Sequence, residues 1–207
     1  ILVEALHKQY EHLDPDDKIG AQIDTLSASN TLTITTGHQL NLFTGPLYFW
    51  YKILDVINKA EAMQQLDGKH QYVPVFWMAS EDHDFEEINH FFLGEQKVSW
   101  ESDTTGAVGR MSTTGLDTVL EELTSYWKNT EKGKELLSLF ADCFLQEGTL
   151  VKATRKLVHQ LFGAYGIIVI DGDDAALKSL FVPLIKAEVS EQITHKARYK
   201  LSLDYDV

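Results

Sequence analysis

Apolar residues recur along this chain with two different periods, and the period at each place predicts the element formed there. Residues 1–13 and 16–28 follow helical spacing. Ile19, Ile23 and Leu26 mark the apolar face of the second stretch, and Asp14-Pro15 sets its start. Thr31–Thr36 (TLTITT) is a short β-branched run of strand type. Gly37–Gly45 reads as a loop, and Pro46 suits the first turn of a helix, where a missing N–H is no loss. That helix is expected to run to Leu66, with Tyr48, Tyr51, Ile53, Leu54, Ile57 and Ala60 on a broad apolar face. Tyr72–Ala79 (YVPVFWMA) is almost continuously apolar, as a strand covered on both faces must be.

Phe91–Trp100 has the pattern of a hairpin turning at Gly94-Glu95, and the polar, Gly/Ser/Thr-rich residues 101–115 read as a linker. Helical patterns follow at 116–128, 131–146 and 149–165. Gly166 ends the last, and Ile167–Ile170 (IIVI) is a third buried strand. Asp171-Gly172-Asp173-Asp174 leads into one helix over 175–189. Buried strands alternating with helices predict an α/β fold. Its sheet is expected to be mostly parallel, with helices on both faces and a hairpin with helices inserted before the third strand. In such sheets ligands bind beyond the carboxyl ends of the strands. Three segments occupy those places: Gly37–Gly45, Ser80–Asn89 and Asp171–Asp174. All three are polar.

Composition narrows the functional classes. The net charge of -13 disfavours a nucleic-acid surface, which needs clustered Lys and Arg, and the one basic run, His195–Lys200, reads as a solvated helix face. No apolar run approaches the roughly 20 residues of a membrane helix. The single cysteine, Cys143, lies among apolar neighbours in SLFADCFLQ and is expected to be a core residue, which excludes a disulfide framework and a thiolate zinc cluster. A reducing cytoplasm fits this usage. The chain opens at Ile1 inside a helical pattern, so it is expected to be a piece of a longer protein.

Each strand end carries its own chemistry. At the first, Gly37 and Gly45 permit close backbone approach to a ligand, Thr44 is a candidate N-cap, and the helix start beyond Pro46 can hold a phosphate or carboxylate. A valine at position 45 is expected to remove that binding while leaving the fold largely intact. His38 and Gln39 add a donor or acceptor near neutral pH. At the second, Glu81, Asp82, Asp84, Glu86 and Glu87 put five carboxylates within seven residues. Three readings stay open there. One is an acidic helix start capped by Asp84; another is a substrate site of Glu81, Asp82 and His83; the third is a divalent metal on Asp82, His83 and Asp84. At the third, Asp171 suits a ribose or sugar hydroxyl, and Asp173 or Asp174 suits a helix cap, Asp174 the better of the two.

The runs TGHQLNLFTGPLYFWYKI (36–53), VPVFWMASEDHDFEEINH (73–90) and GIIVIDGDD (166–174) resemble the BshC family, the bacillithiol-biosynthesis cysteine-adding enzymes. The resemblance covers nearly the whole chain with gaps, and its first two blocks are long and specific. It implies a Rossmann-like core similar to that of class I aminoacyl-tRNA synthetases. Residues 1–90 would form its first part, 91–165 an inserted connecting-peptide-like region, and 166–207 the return. It also implies a homodimer formed through a C-terminal coiled coil that this chain lacks.

The implied reaction joins cysteine to glucosaminyl-malate. ATP would activate the cysteine carboxylate as an adenylate, and the glucosamine amine would then displace AMP. Gly37, His38, Gln39, Thr44 and Gly45 stand where the synthetases carry a His-x-Gly-His signature, with one histidine here instead of two. The resemblance thus makes His38, Glu81, Asp82 and His83 the catalytic candidates. Gly37, Gln39, Thr44, Gly45, Asp84, Asn89 and Asp171 are the candidates for binding substrate or nucleotide, with no metal expected. A reading from another class is a nucleotide- or sugar-phosphate-binding module without ligase chemistry.

Overall fold

The computed structural model describes residues 1–13 and 17–204, so the expected helix start at Asp14-Pro15 lies outside the described residues. Three strands, β1 (Thr31–His38), β2 (Gln71–Met78) and β5 (Ile168–Asp171), form one sheet in the order β1-β2-β5. Both pairings are parallel, with Thr31 opposite Gln71 and Val75 opposite Ile168. Strands and crossovers therefore fall where the apolar periods place them, and the α/β, Rossmann-like class holds. β1 is two residues longer than expected and takes Gly37 and His38 out of the loop.

Alternation along β2 sorts the layers. Phe76 faces α3 (Tyr48–Leu66), where its ring meets Phe49 edge-on at 5.3 Å. Trp50 of α3 in turn packs against Phe162 of α7 (Leu150–Phe162). Val75 and Trp77 face the other way, with Ile168 and Ile170, toward Leu2 and Leu6 of α1 (Leu2–Tyr10) and Leu26, which follows α2 (Asp17–Thr25). On that side Thr33 and Thr35 of β1 stay exposed, so the second layer covers the β5 half of the sheet and leaves the β1 half open.

Between β2 and β5 the chain makes a four-residue helix α4 (Phe85–Ile88) and the antiparallel hairpin β3 (His90–Leu93) and β4 (Gln96–Ser99). Helices α5 (Leu116–Trp127), α6 (Glu131–Phe144) and α7 follow. This region joins the core through aromatic contacts: the Phe43 ring, from the loop after β1, lies 6.1 Å from Phe91, 6.0 Å from Trp127 and 5.1 Å from Phe140. The helix expected over 175–189 is two: α8 (Ala175–Ser179) and α9 (Val182–Glu191), followed by α10 (Ile193–Asp204). Phe181 precedes Val182 and Pro183 at the start of α9, and proline has no N–H to continue the helical ladder across that point. No described helix is long and apolar enough to cross a membrane.

Candidate active site at the strand ends

The parallel register brings the three polar segments side by side: His38 pairs with Met78, and Met78 with Asp171. Backbone bonds continue the alignment beyond the strands, from Ala79 N–H to the His38 carbonyl (3.0 Å) and from Gly172 N–H to the Met78 carbonyl (3.3 Å).

At the first end, His38 is 6% exposed, its ring 5.0 Å from Tyr48 and 5.6 Å from Phe49. Its Nδ1 lies 3.0 Å from the Gln39 carbonyl, which can only accept, so the proton sits on Nδ1 in the neutral ring. Nε2 and the side-chain oxygen of Asn41 are both buried without a hydrogen-bond partner. Burial chiefly pushes the His38 pKa down and Lys52 adds to it, against the raising influence of the Gln39 carbonyl, Glu87 and Asn41. His38 is thus biased toward the neutral imidazole, with Nε2 closed off from solvent. Lys52, one turn into α3, donates to the Gly37 carbonyl at 3.2 Å and lies over the Tyr48 ring.

The loop that follows is strained: Phe43, Thr44 and Gly45 all have positive φ, at 57°, 83° and 65°. Thr44 does not cap the helix. Its hydroxyl oxygen accepts from Trp50 Nε1 at 3.2 Å, and the N-cap is Leu47, which makes no side-chain cap bond. A threonine held at φ 83° by the Phe43 anchor and by Trp50 turns its hydroxyl away from the helix N-terminus. Gly45 is equally constrained, since a Cβ there would lie 2.4 Å from the Asn41 Cβ. Valine at 45 would therefore reshape the loop itself, and is a poor probe of ligand binding alone.

At the second end most of the acidity is answered locally. Asp82 Oδ1 accepts from the His83 and Asp84 N–H groups at 2.7 and 3.2 Å, and Asp84 Oδ1 caps α4 through Glu87 N–H at 3.2 Å. Glu87 accepts from Gln39 Nε2 at 2.8 Å, which ties this segment to the first strand end. Asn89 closes α4, and its carbonyl accepts from Trp100 N–H at 2.8 Å. His83, Asp84 and Glu86 line an open cleft of about 470 Å³ with Thr104, Thr105, Gly106 and Met111; residues 37–39 are not part of its wall. Glu81 leans toward the third end instead, with Oε2 only 2.8 Å from where a Gly172 Cβ would be. Among the described residues no three His, Cys, Asp or Glu side chains converge to hold a metal ion.

The third end is a buried knot. Ser80 is fully buried, and its hydroxyl donates to Asp171 Oδ1 and accepts from Asp173 N–H at 3.0 Å. Asp173 is buried, with carboxylate oxygens held by Arg110 Nε and Lys178 Nζ. Burial pushes its pKa up, but the bonds from Arg110 and Lys178 outweigh this and hold it below the usual carboxylate range. Asp174 caps α8 through Leu177 N–H at 3.0 Å.

Arg110 arrives on a 3₁₀ turn (Val108–Arg110) strapped over the second strand end, with Val108 N–H on the Asp82 carbonyl (2.7 Å) and Gly109 N–H on the Ser80 carbonyl (2.9 Å). A Cβ on Gly109 would lie 2.6 Å from the Ser80 Cβ, so only glycine allows this approach. The polar stretch 101–115, expected to be a linker, is therefore partly a lid on the sheet edge. Sequence reasoning missed Arg110 and Lys178, and held Ser80 and Asp173 within the polar segments without their buried pairing. The available signal was Val108-Gly109-Arg110-Met111, where apolar residues and a glycine flank one arginine inside an otherwise polar run.

Comparison with known proteins agrees with this fold. The family described as bacillithiol biosynthesis BshC, N-terminal Rossmann-like domain, matches residues 1–203. The BshC protein of Cytophaga hutchinsonii is 47% identical over 192 residues, covering 93% of this chain and 35% of its own length. That of Flavobacterium johnsoniae is 44% identical over 196 residues, covering 95% of this chain and 37% of its own. A more distant relative, from Bacillus cytotoxicus, is 28% identical over 198 residues. All three are provisionally named cysteine ligases. The chain thus spans little more than a third of the relatives it matches. Matched over residues 1–203, it belongs to the BshC family and corresponds to its N-terminal Rossmann-like domain.

Proposed function

We propose that the protein carrying this chain is a cysteine ligase of bacillithiol biosynthesis, which forms an amide between the cysteine carboxylate and the amine of glucosaminyl-malate. The observation that carries this reading is the convergence of three polar strand ends at one sheet edge, in a chain whose relatives bear the cysteine-ligase name. A carboxylate does not react with an amine unless its oxygen becomes a leaving group, so the reaction needs an activating co-substrate, for which we propose ATP. The fit to a polyphosphate rests on Lys52, Arg110 and Lys178, which place cations along the edge. When bound, ATP supplies the phosphoanhydride whose cleavage activates the carboxylate.

The chain's own residues then orient the reactants. Lys52 and Arg110 counter negative charge. Glu81 and His83 face solvent near the cleft over the second strand end, where a carboxylate can pair with an ammonium group and sugar hydroxyls can be held. Asp82 orients this segment through its two backbone bonds. A cytoplasmic homodimer completes the proposal. The test is incubation of the full-length protein with cysteine, glucosaminyl-malate and ATP, followed by mass spectrometry. Bacillithiol formed only when ATP is present is the expected result. Nucleotide binding without thiol product under any condition would overturn the ligase reading in favour of a binding module.

A further inference from the structure

On the reading above, in which the cleft at His83 receives the amino sugar, we propose that residues 101–107 are a lid that closes over it, with Gly106 as the hinge and Thr105 as the contact residue. The floor of the cleft is fixed. Asp82 Oδ1 and Asp84 Oδ1 hold the turn and α4 through backbone N–H groups, Phe85 meets the Trp100 ring edge-on at 5.1 Å, and Met111 is buried. Thr104, Thr105 and Gly106 form the rest of the wall around the same 470 Å³.

The loop is held at both ends and free between them. Before it, Trp100 is buried, with its N–H on the Asn89 carbonyl at 2.8 Å and its ring nitrogen on the Thr114 carbonyl at 3.1 Å. After it, the Val108 and Gly109 N–H groups bind the Asp82 and Ser80 carbonyls, and Arg110 holds Asp173. Both anchors thus bond to the 80–89 segment, which carries the floor. Residues 103–106 are exposed, and among the described residues 101–106 make hydrogen bonds only to one another, between Ser102 and Thr104. A span with so few bonds to its surroundings moves at little cost in free energy, and its anchors keep that motion local.

Gly106 has φ 103°, and a Cβ there would meet nothing within 4 Å. Glycine at this position therefore serves the backbone conformation and not the packing. A site for a small ligand buries most of the ligand's surface, and an open cleft does so only when one wall advances. Thr105, exposed on that wall, makes no hydrogen bond among the described residues, which leaves its hydroxyl for a ligand hydroxyl. Charge favours the same occupant. The loop brings Glu101 and Asp103 toward a floor that carries Asp84 and Glu86, while Arg110, the cation on this strap, is already paired with Asp173. An amine-bearing ligand supplies the positive charge that lets these carboxylates approach.

The test is hydrogen–deuterium exchange of the full-length protein with and without glucosaminyl-malate, joined to kinetics of two variants. Saturating ligand should slow exchange of 101–107 by about fivefold or more, together with 80–89. Thr105→Val keeps the branched shape and should raise the KM for glucosaminyl-malate about fivefold, the loss of one hydrogen bond, with the KM for cysteine unchanged. Gly106→Ala disfavours the positive φ without any clash and should raise the same KM about tenfold. Neither substitution touches the core, so the melting temperature should not move. Slowing of 80–89 alone or of neither segment, or an unchanged KM in both variants, would overturn the lid. Product formation reports on the ligase reading separately. Bacillithiol made without slowing at 101–107 overturns the lid and leaves that reading standing; slowing at 101–107 without product does the reverse.

Discussion

After β2 the chain carries Glu81, Asp82, Asp84, Glu86 and Glu87; β5 ends on Asp171 and is followed by Asp173 and Asp174. Both runs follow apolar strands at the same sheet edge, yet they are neutralised in opposite ways. The first stays largely in water and uses backbone N–H groups within three residues as its partners. In the second, Asp173 goes inside and is held by two cations, Arg110 sixty-three residues before it and Lys178 five after it. Solvated carboxylates bonded to their own backbone remain available to a ligand. Buried, cation-paired ones hold the architecture together. The difference therefore separates residues that can act from residues that position.

The largest expected effect tests the acting end. Asp82→Asn keeps the acceptor oxygen for the His83 and Asp84 N–H groups while removing the charge. In the full-length protein it should lower bacillithiol formation by roughly 10- to 150-fold, with melting temperature unchanged. His83→Ala should behave alike. Full activity in both would reduce this segment to an acidic helix start.

Next comes the positioning end. Asp173→Ala removes the buried carboxylate that ties Arg110 and Lys178 to this edge and leaves a gap in its place, and should destabilise the protein by about 2 kcal/mol in urea unfolding. Asp82→Ala should cost less than about 1 kcal/mol, its partners being backbone groups that water can serve. Equal losses would erase the distinction between the two ends. Gly172→Ala probes their junction, since its Cβ would lie 2.7 Å from Trp77 Nε1 and 2.8 Å from Glu81 Oε2. Glu81 must swing away, so we expect a stability loss of about 1 kcal/mol and a measurable change in tryptophan fluorescence.

The smallest effect is in pH. The Asp173 pKa is lowered on folding, so its contribution is complete above the unfolded carboxylate value of about 3.9 and is lost as pH falls through the folded value. Asp173→Ala should remove that share of the acid sensitivity. The His38 pKa is also lowered, so the unfolded chain takes up its proton first, and stability should decline as pH drops below about 6.5. In His38→Gln that decline should flatten. It should not vanish, because His12 is also lowered, by burial above all.

Much of this was legible in the residues. The β-branched run of Thr31–Thr36 and the unbroken apolar runs of β2 and β5 announced a parallel sheet. Asp84 and Asp174 announced their caps, because a cap acts over three residues. Thr44 misled, since a Thr-Gly-Pro start looks like a cap unless one knows that Phe43 is anchored among Phe91, Trp127 and Phe140. The break between α8 and α9 was readable at Pro183 and was overlooked for the helical period around it.

By itself the sequence determined which segments are strands and helices, and hence which three polar segments share the sheet edge. Periods of two and 3.6 residues and local capping depend only on near neighbours. The tertiary structure alone decided which charges are buried and who answers them: Arg110 on Asp173, Glu81 over Gly172, Arg155 on Gln9 one hundred and forty-six residues away. Such partners are set by how layers pack, and local spacing carries no record of that. Burying a charge is favourable only when its partner arrives from another element, so the chemistry of this edge exists only in the folded chain.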